Sequence, residues 1–377
     1  MDKIKVLQFP IANMLGGKTQ YVMQNWKHID RTRFQFDFMT VSKSLDFADE
    51  LLSQGCKIHY ISCRAEEDEK RFAEDVKKAL LTGYDAIHLH TGFWQSFTAE
   101  EIAMRMGIKS VILHSHNTGI GIADDSSREN ATKWHERQKK KFSCDMATHF
   151  LACSTAAADW LYGPQIPREK ITILKNAVDV DRYSFNPEVR NEYRRKLGLE
   201  DKFVIGHVGR FEYQKNHEFL IDVFEKISKK ISNAELILIG TGSEYDKIVE
   251  KVTSLGLSSR VRFLGKRDDV ANLFQAMDIF VLPSFFEGLA IVLVEAQTSG
   301  LKSLTSHAAF PEFSIPENTI SLALDIDIWQ TKILDIAHNG YKRKSKKNEV
   351  IAAGFSIQEQ VRVLEEIYEF GEYRCEQ

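Results

Sequence analysis

The stretch DIFVLPSFFEGLAIVLVEAQTSG, residues 278–300, sets the fold class of this chain of 377 residues. An apolar strand ends at Pro283, a tight segment carrying Glu287 and Gly288 follows, and an apolar helix begins directly after it. A strand that passes through a short turn into a helix is the repeating unit of a parallel α/β sheet. The start of such a helix offers free N–H groups and the positive end of a dipole, which suits a phosphate.

The same alternation of strands and helices runs through most of the chain. We predict strands over 3–9, 34–41, 57–61, 85–90, 109–115 and 148–153, and a second set over 203–208, 234–240, 260–264, 278–282 and 301–305. Amphipathic stretches between them, such as 66–81, 215–231, 243–255 and 288–299, are predicted helices. The fold class is therefore α/β, with two doubly wound parallel sheets.

The two sets of strands indicate two domains. We predict a Rossmann-like N-terminal domain over 1–176, a polar interdomain connection over 177–200 and a second Rossmann-like domain over 201–356. The amphipathic terminal helix within 357–377 is predicted to pack back on the first domain. Open parallel sheets bind ligands at the carboxyl ends of their strands, so we expect the two domains to face a common cleft.

Composition excludes several classes of protein. The formal net charge is −3, which argues against the broadly basic face that nucleic-acid binding needs. The five cysteines are scattered and contain no Cys-x-x-Cys pair, so neither a disulfide framework nor a zinc site is predicted. Asp179-x-Asp181 matches a short metal-binding pattern that is common by chance, and no metal is predicted. The first residues enter a strand without a signal-like apolar segment, so we expect a cytoplasmic protein.

The loop after the first strand, FPIANMLGGKTQY at 9–21, ends in Gly-Lys-Thr like the loop of a nucleoside triphosphatase. That loop requires a glycine where this chain has Ala12. It also needs a later strand that ends in an aspartate for magnesium, and the candidate strands end otherwise. The P-loop interpretation is therefore disfavoured, and Gly16 and Gly17 need another explanation.

Two features point to a nucleoside diphosphate ligand. Glu287 and Glu295 are eight residues apart, about 12 Å along a helix, which is too far for the paired carboxylates of a retaining glycosidase. That spacing would suit the sugar and ribose ends of a nucleoside diphosphate sugar. In VIGHVGRFEYQKN, 204–216, Arg210 and Lys215 follow a strand and could bind the diphosphate. Taken singly, the glutamate spacing and the two cations each also fit ordinary surface charge, and the strand–Pro–Glu–Gly–helix setting is what favours a ligand site.

In combination, the motifs resemble glycosyltransferase family 4, whose members are retaining transferases with the GT-B fold. The resemblance covers nearly the whole chain and extends to bacterial members that build exopolysaccharide or capsule repeat units. It rests on GGKTQYVMQNWKHIDR, HSHNT, KNAVDVDRY, GRFEYQKN, PSFFEGLAIVLVEAQTSG and FSIQEQVRVLEEIYE, in that order. The resemblance implies that Arg210 and Lys215 neutralise the leaving diphosphate, that Glu287 binds hydroxyls of the donor sugar, and that Glu295 binds the ribose.

The resemblance also implies further contacts. His116 of HSHNT would point into the cleft near the sugar, as a fourth catalytic-site residue beside Arg210, Lys215 and Glu287. Three further features would complete the donor site. They are the backbone of the first glycine pair, the loop 264–270 that cradles the base, and the start of the helix after Gly288. The residues concerned are Gly16, Gly17, Arg267, Val270, Gly288, Leu289 and Ala290.

These implications define the expected function. We expect a metal-independent, retaining transferase that needs no cofactor, uses a nucleotide sugar such as a UDP-sugar as co-substrate, and has a glycan or lipid-linked acceptor but no nucleic-acid partner. Two alternatives stay open: a UDP-sugar 2-epimerase of the same fold, and a non-catalytic nucleotide-sugar-binding protein. The epimerase would convert the donor without an acceptor. The binding protein would bind UDP but never release free UDP from a donor.

Two further segments carry expectations of their own. His88 and His90 are predicted to face opposite sides of their strand; His90, near the carboxyl end, could border the cleft, although such histidines are more often hydrogen-bonded scaffold residues. KWHERQKKKF, 133–142, mixes basic residues with Trp134 and Phe142, which makes it a candidate for peripheral contact with anionic lipid at the inner face of the membrane. The alternative, a solvated charged face, is the usual role of such a run.

Overall fold

The computed structural model describes residues 3–13, 17–122, 124–287, 289–309, 315 and 317–370. The chain divides into two compact units. The first contains Met1–Ile120, Ser126–Ala177 and Ile357–Gln377, and the second contains Gly121–Asp125 and Val178–Ser356.

The first unit is built on a seven-stranded parallel sheet with the strand order β3-β2-β1-β4-β5-β6-β7. Its strands are β1 Ile4–Phe9, β2 Phe34–Thr40, β3 Ile58–Tyr60, β4 Ala86–Thr91, β5 Ser110–Ser115, β6 His149–Ala152 and β7 Ile171–Ile173. Its first helices are α1 Gly17–His28, α2 Ala48–Ser53, α3 Glu69–Leu80, α4 Thr98–Arg105, α5 Asp125–Lys139 and α6 Thr155–Leu161.

The second unit is built on a six-stranded parallel sheet with the order β10-β9-β8-β11-β12-β13. Its strands are β8 Phe203–Val208, β9 Ala234–Ile239, β10 Val261–Phe263, β11 Ile279–Leu282, β12 Lys302–Ser306 and β13 Thr319–Leu322. Its helices are α7 Val180–Tyr183, α8 Pro187–Leu197, α9 His217–Ser228, α10 Tyr245–Ser254, α11 Val270–Ala276, α12 Ile291–Thr298, α13 Ile326–Asn339 and α14 Lys347–Ala352.

Each predicted strand overlaps an observed one, and the prediction of two parallel α/β sheets is confirmed. The sequence missed β7 and β13, which have three and four residues at the edges of their sheets.

The stretch 177–200 differs from the predicted separate connection, because from Val178 onward it belongs to the second unit. Asn186 caps α8 with its side chain, and Pro187 supplies the first residue of that helix. Arg190 and Arg194 of α8 then bind the carboxylate of Asp278 at 2.5 and 3.1 Å, which fastens the helix to the start of β11.

The terminal helix, α15 Ile357–Phe370, is part of the first unit. Its apolar side chains Val361, Leu364, Ile367 and Tyr368 are buried in the core of that unit. The ring of Tyr368 contacts the edge of Phe36 from β2 at a centroid distance of 5.7 Å. Within the described residues, no helix combines the length and the apolar character needed to cross a bilayer.

Candidate active site

The second sheet reverses its strand order between β8 and β11, which lie next to each other and pair at Ile205–Ile279 and Gly206–Phe280. Loops at such a switch point leave the sheet in opposite directions and open a crevice for ligands. The segments that follow these two strands contain Arg210, Lys215 and Glu287. The fold therefore brings the two predicted phosphate- and sugar-binding motifs to one edge of one sheet.

Lys215 and Glu287 form an ion pair at this edge. The Nζ atom of Lys215 lies 2.5 Å from Oε1 of Glu287, and the two side chains are only 14% and 9% exposed. Gln214 joins the pair, because its amide nitrogen donates to Oε2 of Glu287 at 3.3 Å and to the carbonyl of Phe286 at 2.8 Å. The sequence interpretation missed Gln214, although its position directly before Lys215 was a usable signal.

Asn216 shapes the loop that carries Lys215. Its backbone is in the left-handed region with φ of 52°, which asparagine tolerates better than most residues. Its side-chain amide donates to the carbonyl of Pro283 at 3.2 Å. The Lys-Asn pair in the sequence therefore performs two tasks, since the asparagine turns the chain into α9 and ties the loop to the end of β11.

Glycines hold the loops after β8 and β9 in close contact. A Cβ atom added to Gly240 would lie 2.0 Å from the carbonyl oxygen of Gly209, and one added to Gly242 would lie 2.3 Å from that of Phe211. The backbone of residues 209–211 therefore packs directly against the backbone of Gly240 and Gly242.

Arg210 extends from this fixed backbone and is partly exposed. Across the residues that the structure describes, its guanidinium has no hydrogen-bonding or ion-pair partner. The aliphatic part of the Lys215 side chain lies close to Gly209, the residue before Arg210, since a Cβ atom added to Gly209 would be 3.3 Å from it. A cation without a partner among the described residues, in the same loop as a second cation, favours a divalent anion such as a diphosphate.

Glu295 lies on α12 and is 3% exposed. It faces Tyr183 of α7, whose pKa is raised well above its usual value, first by burial and then by the charge and hydrogen bond of Glu295. The carboxylate predicted to bind ribose is therefore already oriented by a tyrosine hydroxyl.

The start of α12 has donor groups to spare. Ala290 precedes the helix as its cap, and the backbone N–H groups of Leu289 and Ala290 donate to no acceptor among the described residues. Both residues are buried. Gly288, also predicted at this position, lies outside the described residues.

The predicted base-binding loop is rigidified from within. Arg267 binds Asp269 bidentately at 2.8 and 2.6 Å, and the hydroxyl of Tyr193 donates to the same carboxylate at 3.0 Å. Val270 is the first residue of α11. The direction of the Arg267 side chain is thus set by Asp269 before any ligand binds.

Gly17 and His116 belong to the first unit, and Gly16 lies outside the described residues. Gly17 begins α1, and a Cβ atom there would meet nothing within 4 Å. Packing within the protein therefore does not require glycine at this position. His116 follows β5 and is 6% exposed.

The prediction that His88 and His90 face opposite sides of their strand is wrong. Residues two apart in a strand share a face, and both rings lie in one buried cluster with His114 and His116. Within the described part of the chain, His88, His90 and His114 are the group of ligand atoms close enough to hold a metal ion, all within 4.8 Å of one another.

The Asp-x-Asp pattern has local structural roles. Asp179 caps α7 by accepting a hydrogen bond from the backbone N–H of Arg182 at 3.1 Å. Asp181 forms an ion pair with Lys347.

The segment 133–142 offers less apolar surface than predicted. Phe142 is fully buried, with its ring 4.4 Å from that of Trp94, so its expected contact with lipid is wrong. Trp134 is 49% exposed. The face that α5 buries consists of His135 and Gln138, so this helix has no continuous apolar stripe.

Comparison with known proteins gives the family. The family model "Glycosyltransferase Family 4" matches residues 16–182, and "Glycosyl transferases group 1" matches residues 189–318. EpsF of Bacillus subtilis (strain 168), which carries the name of a glycosyltransferase, is 30% identical over 367 residues, covering 94% of this chain and 93% of EpsF. The chain belongs to glycosyltransferase family 4.

Two other relatives extend this assignment. The family 4 chain is 23% identical over 390 residues to an Escherichia coli UDP-Gal:α-D-GlcNAc-diphosphoundecaprenol α-1,3-galactosyltransferase, covering 97% of each protein. The solved structure of Anabaena HepE in complex with UDP and glucose superposes with a TM-score of 0.76 at 19% identity, covering 97% of this chain and 100% of HepE. The protein is thus a glycosyltransferase with the GT-B fold.

Proposed function

We propose that this glycosyltransferase transfers a sugar from a UDP-sugar to a glycan or lipid-linked acceptor, with retention of configuration and without a metal ion, in the synthesis of a surface polysaccharide. The observation that carries the proposal is the Lys215–Glu287 ion pair at the switch point of the second sheet, in the same loop as Arg210, whose guanidinium has no partner among the described residues. This site combines two cations for a diphosphate with a carboxylate for sugar hydroxyls.

The proposed chemistry is a substitution at the anomeric carbon. The bond from that carbon to the diphosphate oxygen breaks, and the acceptor oxygen forms the new bond on the same face. Negative charge develops on the leaving diphosphate, where Arg210 and Lys215 stabilise it electrostatically. The departing phosphate oxygen takes the proton of the acceptor hydroxyl, so no side chain needs to act as general base.

The other residues have binding roles in this proposal. Glu287 holds donor hydroxyls, Glu295 holds the ribose, and Arg267 and Val270 border the base. The backbone of Gly16 and Gly17, together with the N–H groups from Gly288 to Ala290, approaches the diphosphate and the sugar. His116 contacts the sugar.

The choice of co-substrates draws on the relatives. HepE was solved with UDP and glucose, and the E. coli enzyme is named for UDP-galactose and a diphosphoundecaprenol-linked acceptor. We propose the same classes here: a UDP-linked donor and a glycan or lipid-linked acceptor. We further propose that the enzyme works in the cytoplasm, with charged contact to the membrane through residues 133–142.

The proposal is tested by measuring nucleotide release from a panel of UDP- and GDP-sugars, with acceptor, with and without EDTA. We expect release of UDP from at least one UDP-sugar, unchanged by EDTA, and a product whose anomeric configuration matches that of the donor by NMR. Loss of activity in EDTA would contradict metal independence, and an inverted product would contradict retention. Conversion of the donor in the absence of any acceptor would support the 2-epimerase instead, and binding without release would support a non-catalytic role.

A further inference from the structure

Four histidines of β4 and β5 form a buried cluster on one face of the first sheet. His88 and His90 lie on β4, and His114 and His116 lie on or directly after β5, with His90 opposite His114 in the parallel pairing. Nε2 of His88 is 3.2 Å from Nδ1 of His114, and Nδ1 of His90 is 3.0 Å from Nε2 of His116. Each close pair of nitrogens is within hydrogen-bonding distance.

All four rings are neutral near pH 7. Burial holds the pKa of each far below its usual value, to about 3 for His114, and neighbouring histidines lower it further for His88, His90 and His116. A neutral imidazole has one nitrogen that donates and one that accepts. The two hydrogen bonds within the cluster must therefore each have a definite direction.

Gln8 of β1 sets the direction at one end. Its side-chain oxygen lies 2.8 Å from Nε2 of His90, and an amide oxygen can only accept, so His90 carries its proton on Nε2. Nδ1 of His90 is then an acceptor, and Nε2 of His116 must donate to it. Nδ1 of His116 is left with a bare lone pair. That atom is buried and has no hydrogen-bonding partner among the described residues.

The same glutamine also directs the second pair. Its amide nitrogen donates to the hydroxyl of Tyr368 at 3.3 Å, and that hydroxyl lies 2.7 Å from Nδ1 of His88 and donates to it. Nε2 of His88 then donates to His114, whose own Nε2 keeps a proton and is also unpartnered among the described residues. Rotating the amide of Gln8 by half a turn would reverse every bond, so the tautomers of the four rings are linked.

We propose that Gln8 and His90 are positioning residues that hold His116 as the Nε2–H tautomer, so that its Nδ1 atom accepts a hydrogen bond from a hydroxyl of the sugar substrate. In the reversed chain, His116 would present an N–H group at the same place and could not accept that bond. The substrate contact rests on the proposed function, whereas the tautomer does not depend on it.

A metal ion is the competing explanation for the cluster. His88, His90 and His114 have ligand atoms within 4.8 Å of one another. A bound ion would require the facing nitrogens of His88 and His114, 3.2 Å apart, to present lone pairs simultaneously, whereas the hydrogen-bonded chain gives one of them a proton. The two explanations therefore predict different protonation of the same atoms.

The decisive experiment is long-range ¹H–¹⁵N NMR of the full chain labelled with ¹⁵N-histidine, with the His116 signals assigned from their absence in His116→Asn. We expect Nδ1 of His116 at a lone-pair (pyridine-type) shift and Nε2 at a protonated (pyrrole-type) shift. The reverse pattern, or stoichiometric metal in the purified protein, would overturn the proposal. The shifts themselves are read on the wild-type chain, and the variant serves only to assign the His116 signals.

The Gln8→Met variant tests whether Gln8 sets the tautomer of His116, with Gln24→Met on α1 as the matched control. We expect Gln8→Met to shift the His116 nitrogens toward a mixture of both tautomers and to lower turnover about tenfold, as for the loss of one hydrogen bond, while Gln24→Met changes neither. Unchanged His116 shifts in a folded Gln8→Met would overturn the role of Gln8. A shifted tautomer with normal turnover would overturn the substrate contact. An absence of wild-type turnover would refute the proposed function and leave the tautomer result intact.

Discussion

Nζ of Lys215 and Oε1 of Glu287 lie 2.5 Å apart although 72 residues separate them along the chain. The pair forms because β8 and β11 are neighbours in the sheet, so the loops that follow these strands leave the same edge. In the ligand-free protein each side chain neutralises the other. A donor diphosphate would compete with Glu287 for the lysine, which releases the carboxylate for sugar hydroxyls.

Arg210→Ala is expected to reduce UDP release about 10²–10³-fold, as for the loss of one donor directed at developing charge. The melting temperature should not change, because the guanidinium has no partner among the described residues. Steady-state UDP release and thermal unfolding measure the two effects. Arg195→Ala, an exposed arginine of α8, is the matched control and should behave as wild type. Near-normal turnover in Arg210→Ala would refute its assignment.

Lys215→Ala is expected to lose stability as well as activity. The substitution leaves the 9%-exposed carboxylate of Glu287 without its cation, which costs about 1–3 kcal/mol of unfolding free energy. Adding Glu287→Gln should recover most of that stability but no activity, because the amide needs no cation. The measurement is a double-mutant cycle. It compares urea unfolding of the wild type, Lys215→Ala, Glu287→Gln and the double variant. Additive single effects would show that the pair is not coupled.

The two glutamates should separate sugar transfer from nucleotide binding. Glu295→Ala is expected to weaken UDP binding about 10- to 100-fold, since it removes a charged hydrogen-bonding partner of the ribose. Glu287→Ala should leave the UDP dissociation constant within about threefold and mainly lower turnover. Calorimetric titration with UDP, beside turnover with the UDP-sugar, distinguishes the two. Equal losses of UDP affinity would contradict the assignment of sugar and ribose ends.

Acid should destabilise the fold through its buried histidines. His207, for example, has a pKa lowered to about 4, mainly by burial, whereas an unfolded histidine titrates near 6.5. Stability from such groups is complete above about pH 6.5 and falls as the pH decreases, by about 1.4 kcal/mol per pH unit for each, because only the unfolded chain takes up the proton. Glu100 has the opposite effect on the pH dependence. Burial raises its pKa to about 7, so below that pH the folded protein holds a proton that the unfolded chain releases.

His217→Phe tests this slope at one site. Both ring nitrogens of His217 lack hydrogen-bonding partners among the described residues, and the ring stacks on Phe211 at 4.1 Å, so phenylalanine should fit. Denaturant unfolding between pH 5 and 6 should show a slope reduced by about one proton. His338→Phe, at an exposed position of α13, should leave the slope unchanged. An unaltered slope in His217→Phe would mean that His217 charges in the folded protein.

Contact of residues 133–142 with membranes should be mainly electrostatic, because Phe142 is buried and Trp134 is the exposed aromatic residue of the segment. We expect co-sedimentation with anionic vesicles at low salt and release at high salt. Changing the exposed Lys140 and Lys141 to glutamate should abolish it, while the same change at Lys77 and Lys78 of α3 should not. Equal recovery of the protein in the supernatant with and without vesicles would contradict membrane contact.

How much of this could be predicted from sequence depended on the range of the interaction. The parallel sheets followed from local hydrophobic runs, although this reasoning left the edge strands β7 and β13 unpredicted. Arg210, Lys215 and Glu287 could be singled out because each lies in the segment that follows a strand, and both strands end at the same sheet edge. His88 and His90 were placed on opposite faces although residues two apart in a strand share one. The rest of the cluster escaped prediction because His114 and His116 come from another strand and the partners Gln8 and Tyr368 lie at opposite ends of the chain.

The sequence by itself determined the strand–helix alternation, the family and the types of charged residue at the strand ends, because these depend on neighbours along the chain. Only the tertiary structure decided which charges meet. It paired Lys215 with Glu287, left Arg210 without a partner among the described residues, turned Arg267 toward Asp269, and joined Gln8 to His116 through His90. Hydrogen bonds and ion pairs act over about 3–4 Å, a distance that sheet register and helix packing set and that spacing along the chain does not.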